Sequence, residues 1–433
     1  MGRGEQLARV LRGPATLSLG AAALGLCSYV FLTVAARGLA PEQFGELSAL
    51  WALLFGFVAG LWYPVEQETT RVVAVAEDGP APAAAVVARI STLATIPALA
   101  LVVVFLVSLG DQALGGVVGL GAALAVAVPA IGLASFQRGG LLGRRRYGWA
   151  AWQLAADGIV RAVGVVVLAV TGAQVGWYGV LLAVAPLVAV GLAAPGWTPL
   201  GRDAGAAPVP WRPVLVDLAR LLAGSYLAIV LFNVGPLIVR LGGSAEETGR
   251  FMAMFVIARL PLFFAGAVVS GLLATLVRTY EQGTPAAFLR ASRTAAAAAA
   301  AVSLLACVPL GLLAPWAART FFGSAYEVDL VQSVTVAVST AGFVTALVLQ
   351  GALVAARRQR AVAWSWLLAA VAFVVAAVVA TVVPSAAASP GIGTAVAVAY
   401  LVSSVVAVLA MLLALDRAVS PRAARPDSGR SRS

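Results

Sequence analysis

The chain has 433 residues, of which 61% are hydrophobic and only 11% charged. That balance excludes an ordinary soluble domain, in which about a quarter of residues are charged. The formal net charge is +11 without any histidine, and its concentration between apolar stretches points to a membrane surface rather than to nucleic acid.

Twelve apolar stretches of roughly 18–25 residues are long enough to cross a bilayer. They lie near 13–36, 45–63, 85–109, 113–136, 147–171, 174–194, 215–239, 249–277, 292–314, 329–354, 361–383 and 392–415. Ala, Val, Leu and Gly dominate them, and small residues let helices approach closely in lipid. The first stretch is long and lacks a clean small-residue cleavage site, so it reads as a retained helix rather than a signal peptide. The loop 195–214 is the natural tether between spans six and seven. From Arg417 the chain turns to Pro, Ser and Arg, the composition of a disordered tail.

Two landmarks recur in the same order, roughly two hundred residues apart, the mark of a duplicated bundle. The segment Arg37–Gly45 returns as Arg240–Gly249, each with an Arg at the end of a span and a Glu (Glu42, Glu246) three residues before a Gly. Gln137 stands seven residues before Arg144, and Gln350 seven before Arg357, with Trp149 and Trp364 entering the spans that follow. The expected fold is an all-α polytopic membrane protein of about twelve helices in two six-helix lobes, repeated in parallel around a central cavity. The expected boundaries are 1–194 for the first lobe, 195–214 for the linker, 215–415 for the second lobe and 416–433 for the tail.

Every basic residue is an Arg. With the N-terminus in the cytoplasm, Arg37, Arg240, Arg250 and Arg319 fall at the outer face, Arg161 and Arg259 fall deep inside spans, and the rest lie in the termini, the cytoplasmic loops or the cytoplasmic ends of spans. This bias places both termini inside the cell. The clusters Arg144–Arg146 and Arg357–Arg360 then serve topology and contact with anionic lipid headgroups.

The chemistry that is missing narrows the function. No Walker-type phosphate loop is present. Without His, and with Cys27 and Cys307 in different apolar spans, the usual zinc and nucleophile–base constellations are missing. No cofactor or metal is expected, and the short outer connections argue against an enzyme.

The ionisable residues inside spans carry the specific signal. Arg259 lies ten residues into span eight, about 15 Å along the helix, with Pro261 close behind. It reads either as a functional cation or as a structural one whose stem snorkels outward. Asp157 and Arg161 stand one turn apart in span five and can pair on one face; coupling-ion site and internal ion pair are equally open. Glu66 and Glu68 follow Pro64 at the end of span two and project about 200° apart if the helix continues. One of them can serve as a coupling carboxylate, or Arg71 neutralises the cluster. Asn233 and Pro236 in span seven mark polar backbone that can line a cavity.

The string AARGLAPEQFGELSAL around Arg37, Pro41, Glu42, Phe44 and Gly45 resembles the entry segment of bacterial polysaccharide and O-antigen flippases. These belong to the multidrug/oligosaccharidyl-lipid/polysaccharide exporter superfamily. Arg259-Leu260-Pro261 in span eight and Phe321–Glu327 (FFGSAYE) extend the resemblance over nearly the whole chain. It implies a V-shaped flippase in the inner (cytoplasmic) membrane that moves a polyprenyl-diphosphate-linked oligosaccharide, with membrane lipids and glycan-assembly proteins as further partners. Arg259 matches the cavity Arg that holds the lipid diphosphate in related lipid II flippases. Arg37, a poorer match, and Asn233 complete the candidate substrate contacts. The chain departs from those flippases in having twelve spans rather than fourteen and no Lys. A drug or cation antiporter of the same superfamily is the main alternative, with a membrane-bound sugar transferase behind it.

Overall fold

The computed structural model describes residues 3–76, 82–198, 210–262, 272, 276–382 and 391–419. Among these the chain is helical throughout, without a strand. Ten helices are long and apolar enough to cross a membrane, and an eleventh crossing is a bent pair. Eleven of the twelve expected spans are thus accounted for. The remaining one, 249–277, begins as a helix over Ala245–Ala258 and runs into 263–271 and 273–275, outside the described residues. So do 199–209 of the expected linker and 420–433 of the expected tail; the last helix itself continues to Val419.

The helices are α1 (Arg3–Gly38), α2 (Pro41–Ala52), α3 (Ala59–Val75), α4 (Pro82–Leu114), α5 (Val118–Gly143), α6 (Tyr147–Val170) and α7 (Val175–Ala193). There follow α8 (Trp211–Asn233), α9 (Gly235–Gly242), α10 (Ala245–Ala258), α11 (Pro285–Ala317), α12 (Leu330–Ala355), α13 (Gln359–Val382) and α14 (Ile392–Val419). Local chemistry sets several starts. Pro41 opens α2, where its missing N–H costs nothing. Asp329 caps α12 by accepting the Gln332 N–H at 2.8 Å. Between α2 and α3 the helix passes through a π-helical stretch, Leu53–Val58.

Packing divides the chain into two compact units: 1–253 with 318–327, and 254–317 with 328–433. In the first, α1 lies along α6, and α5 packs on α3 and α7. In the second, α12 is the most buried span and packs on α11 and α14.

The duplication is visible within each unit taken alone. In the first, α5 and α6 both pack on α7; in the second, α12 and α13 both pack on α14. Gln137 Oε1 accepts a hydrogen bond from Gln153 Nε2 at 2.6 Å, sixteen residues on. Gln350 Oε1 accepts one from Trp366 Nε1 at 2.7 Å, again sixteen residues on. The turn after each Gln carries an Arg in the left-handed region, Arg145 at φ 56° and Arg357 at φ 57°. Each turn closes the preceding helix with a pair of overlapping backbone bonds. The structural counterpart of Arg357 is therefore Arg145, one residue beyond the Arg144 that spacing suggests.

The other landmark has a packing reason. A Cβ on Gly45 would lie 1.7 Å from the Ala245 carbonyl oxygen, and one on Gly249 would lie 3.0 Å from that of Pro41. The two recurring segments press backbone to backbone; only glycine permits the approach at Gly45, and a side chain at Gly249 would be tightly squeezed. Gln112 adds a hydrogen bond to the Leu241 carbonyl at 2.7 Å. The contact brings the ends of α1 and α9, and with them Arg37 and Arg240, to the same end of the first unit, as a parallel repeat requires.

Candidate functional site

Three carboxylates inside the first unit are each held by an arginine. Helix α3 continues through Pro64, which turns Glu66 and Glu68 toward different neighbours. Glu66 accepts from Arg138 Nε at 2.9 Å and Nη2 at 2.6 Å, with both side chains mostly buried. Glu68 accepts from Arg71 at 2.8 and 2.5 Å, and Arg71 also reaches Asp217 at 3.7 Å. Asp157 takes the fork of Arg161 at 2.9 and 2.5 Å, the bidentate geometry that planar guanidinium favours. Arg161 is only 2% exposed and stands over the Phe55 ring at 5.1 Å. Its Nη1 is buried without a hydrogen-bond acceptor among the described residues. Glu66–Arg138 and Asp157–Arg161 together make an interior network of two locally neutral ion pairs.

Arg138 belongs to this network although its position reads as loop. Apolarity alone ends span four near residue 136, but α5 runs on to Gly143. The signal for it is Glu66: a buried carboxylate requires a partner.

In the second unit Arg259 is held differently. Helix α10 ends at Ala258, and Arg259 sits in the turn that leads to Pro261, with the Leu262 N–H bonded to its carbonyl at 3.0 Å. Its guanidinium carbon lies 4.2 Å from the Phe255 ring, 4.5 Å from Tyr400 and 5.7 Å from Phe343. The residue is 5% exposed. The rings support one another, Phe343 meeting Tyr400 edge-on at 6.1 Å and Phe373 meeting Tyr400 at 4.9 Å. Desolvated cation–π contacts of this kind contribute about 2 kcal/mol or more. Phe255 lies one turn before Arg259, a spacing legible in sequence. Phe343 and Tyr400 come from α12 and α14, and nothing local announces them.

Arg37 is occupied at the end of α1. Its Nε donates to the Phe321 carbonyl at 2.7 Å, and Nη2 donates to that of Thr320. Tyr326 Oη donates to the Ala36 carbonyl at 3.0 Å, and the Tyr326 ring meets Phe44 edge-on at 5.5 Å. The strings around Arg37–Gly45 and Phe321–Glu327 are thus two sides of one clasp. Asn233 ends α8 and donates to its own Ile229 carbonyl at 2.9 Å, just before the 53° bend into α9. Such back-bonding accompanies helix bending. Asn233 faces the π-helical stretch, where a Cβ on Gly56 would lie 3.1 Å from its own Cβ. Among the described residues no cluster of acidic and Cys side chains is arranged to hold a metal.

These features define a class: a multi-pass α-helical membrane protein with interior charges and an internal repeat. Its fold is that of the MATE transporters. A MATE protein in complex with MaD5 matches with a TM-score of 0.66 at 16% identity, covering 96% of this chain and 99% of its own. An inward-facing multidrug resistance MATE family transporter of the MOP superfamily matches with a TM-score of 0.60 at 15% identity, covering 91% and 95%. A MOP superfamily transporter from Pyrococcus furiosus, whose binding pocket of reverse polarity suggests a different function for it, matches with a TM-score of 0.63 at 16% identity over 96% and 99%. In sequence, the chain is 28% identical over 388 residues to uncharacterized proteins of Mycobacterium tuberculosis and Mycobacterium bovis, covering 82% of this chain and 83% of each relative. No protein-family model matches.

Proposed function

We propose that the chain is a transporter of the cytoplasmic membrane, both termini inside, that flips a polyprenyl-diphosphate-linked oligosaccharide or a related cell-envelope glycan precursor. The fold likeness supports transport; the polarity of the interior supports an anionic substrate. Glu66, Glu68 and Asp157 are each held by an Arg, which leaves this set poorly suited to attract an organic cation. Arg259 is held by aromatic rings. An aromatic face attracts a cation without cancelling its charge. A diphosphate is the natural partner for such a charge, because arginine grips phosphate through several directed donors. The Pyrococcus furiosus transporter, with its reverse-polarity pocket, gives the fold a precedent for departing from the multidrug pattern. Directional movement requires that the substrate bind inward- and outward-open states unequally. The interior network of Glu66, Arg138, Asp157 and Arg161 is the place where a coupling ion would act.

The competing reading is a cation-coupled drug antiporter, favoured by the likeness to multidrug MATE proteins. Purified protein in vesicles distinguishes them. Transfer of a labelled polyprenyl-diphosphate oligosaccharide between leaflets, without exchange of organic cations, supports the flippase. Cation exchange without lipid transfer overturns it in favour of the antiporter.

A further inference from the structure

The second unit carries an open basic cavity of about 720 Å³ where the start of α13 meets the end of α14. Arg357, Arg358 and Arg360 line it from the turn and first residues of α13, and Arg417 lines it from α14. No acidic side chain lines it, and none of the four arginines makes an ion pair among the described residues. Trp364, 65% exposed, stands at its edge. One helical turn further along α13, Leu368 continues the wall, with Leu413 opposite on α14. The cavity therefore grades from cationic to apolar along the direction in which these spans enter the membrane.

The corresponding turn in the first unit shows what the open one lacks. There Arg144 donates to the carbonyl and hydroxyl oxygens of Thr198, and Arg146 donates to the Gly196 carbonyl at 2.6 Å. Trp149 packs so closely that a Cβ on Gly196 would lie 2.2 Å from its ring. The chain's own segment 196–198 fills that place and engages those donors. No described segment does so for Arg357, Arg358, Arg360 and Arg417.

We infer that this cavity is a binding site for an anionic phospholipid of the leaflet that the arginine bias assigns to the cytoplasm. The four guanidinium groups would hold the headgroup phosphate. The start of α13 adds the positive end of its helix dipole. Trp364 sits at headgroup depth, where its amphipathic ring is favoured, and an acyl chain runs along Leu368 and Leu413. Basic pockets between spans on this side of a membrane select acidic headgroups. A headgroup with two phosphodiesters, as in cardiolipin, suits four arginines better than one with a single phosphate. The assignment is independent of the transported substrate.

The test uses the full chain, purified in detergent, with bound lipid counted by native mass spectrometry after exposure to cardiolipin or phosphatidylcholine. Arg358→Gln with Arg360→Gln should lower cardiolipin retention about tenfold or more and leave phosphatidylcholine unchanged. Arg278→Gln with Arg290→Gln, an equal loss of exposed charge elsewhere in the same unit, should leave both unchanged. Arg417→Gln, on the other helix, should lower cardiolipin retention severalfold and serves if the first pair misfolds. Equal losses from the two paired variants, no loss from the cavity variants, or equal loss of both lipids would overturn the site. Displacement of cardiolipin by inorganic diphosphate at equal concentration would also overturn it, by showing a site for free anions.

Discussion

The two units treat buried arginine in opposite ways. In the first, Arg161 is bonded to Asp157 and Arg138 to Glu66, so charge enters the helix bundle in neutral pairs. In the second, Arg259 is held by the faces of Phe255, Tyr400 and Phe343. The same contrast reaches the matching turns at the helix ends, where Arg144 and Arg146 are satisfied by the chain itself and Arg357 to Arg360 face an open cavity. On matching scaffolds, the first unit pairs its interior arginines with carboxylates, and the second surrounds Arg259 with aromatic rings. The proposed transport of an anionic lipid would draw on that asymmetry.

The largest expected effect breaks a neutral pair. Asp157→Ala strands the Arg161 guanidinium, which is 2% exposed, and should cost about 3–5 kcal/mol. Thermal unfolding of the purified protein reads this, and Asp157→Ala with Arg161→Leu should recover much of the loss. A single variant as stable as the wild type would show that the pair is not the holder described here.

A smaller effect sharpens the other side. Tyr400→Leu removes a ring face from Arg259 and should cost about 2 kcal/mol. Because part of that loss is the cation's, the same change made beside Arg259→Leu should cost less, as a double-mutant cycle measures. Additive losses would mean that the rings merely pack.

The smallest effect concerns the neutral hydrogen bond of the clasp. Tyr326→Phe loses one hydrogen bond to the Ala36 carbonyl and should cost about 1 kcal/mol. Burial, and after it the nearby Glu42 carboxylate, push the Tyr326 hydroxyl above its usual pKa. The bond's contribution is therefore complete below about pH 10, the ordinary tyrosine value, and is lost only as pH climbs through the raised one. A pH-stability profile of wild type against Tyr326→Phe should run parallel up to about pH 10 and draw together above it. Convergence near neutrality would contradict the placement of the ring.

Span number and the recurring landmarks were legible because apolar length and residue spacing are local properties; continuation past Pro64 stayed open in the sequence, and α3 does run through it. Arg138 was hidden by the same rule: the apolar stretch stops before it, while its helix runs on because Glu66 compensates the charge. The role of Gly45 and Gly249 as a backbone contact needed coordinates, although their recurrence was plain. The clasp was legible only as two separate strings, since no spacing announces that the end of α1 meets residues 320–326. Phe255 is readable one turn before Arg259. Tyr400 and Phe343 arrive from distant spans, and their convergence on one cation is a property of packing alone.

The most direct test of the central claim is lipid transfer by Arg259 variants. Wild type, Arg259→Ala and Arg259→Lys are reconstituted in vesicles after their folding is matched by thermal unfolding and size. Movement of a labelled polyprenyl-diphosphate oligosaccharide to the opposite leaflet is then followed. If Arg259 supplies the charge that engages the diphosphate, the Ala variant shows no transfer. The Lys variant retains part of it, because an ammonium keeps the charge and loses the planar fork of donors. Transfer at the wild-type rate by a well-folded Ala variant would contradict the account.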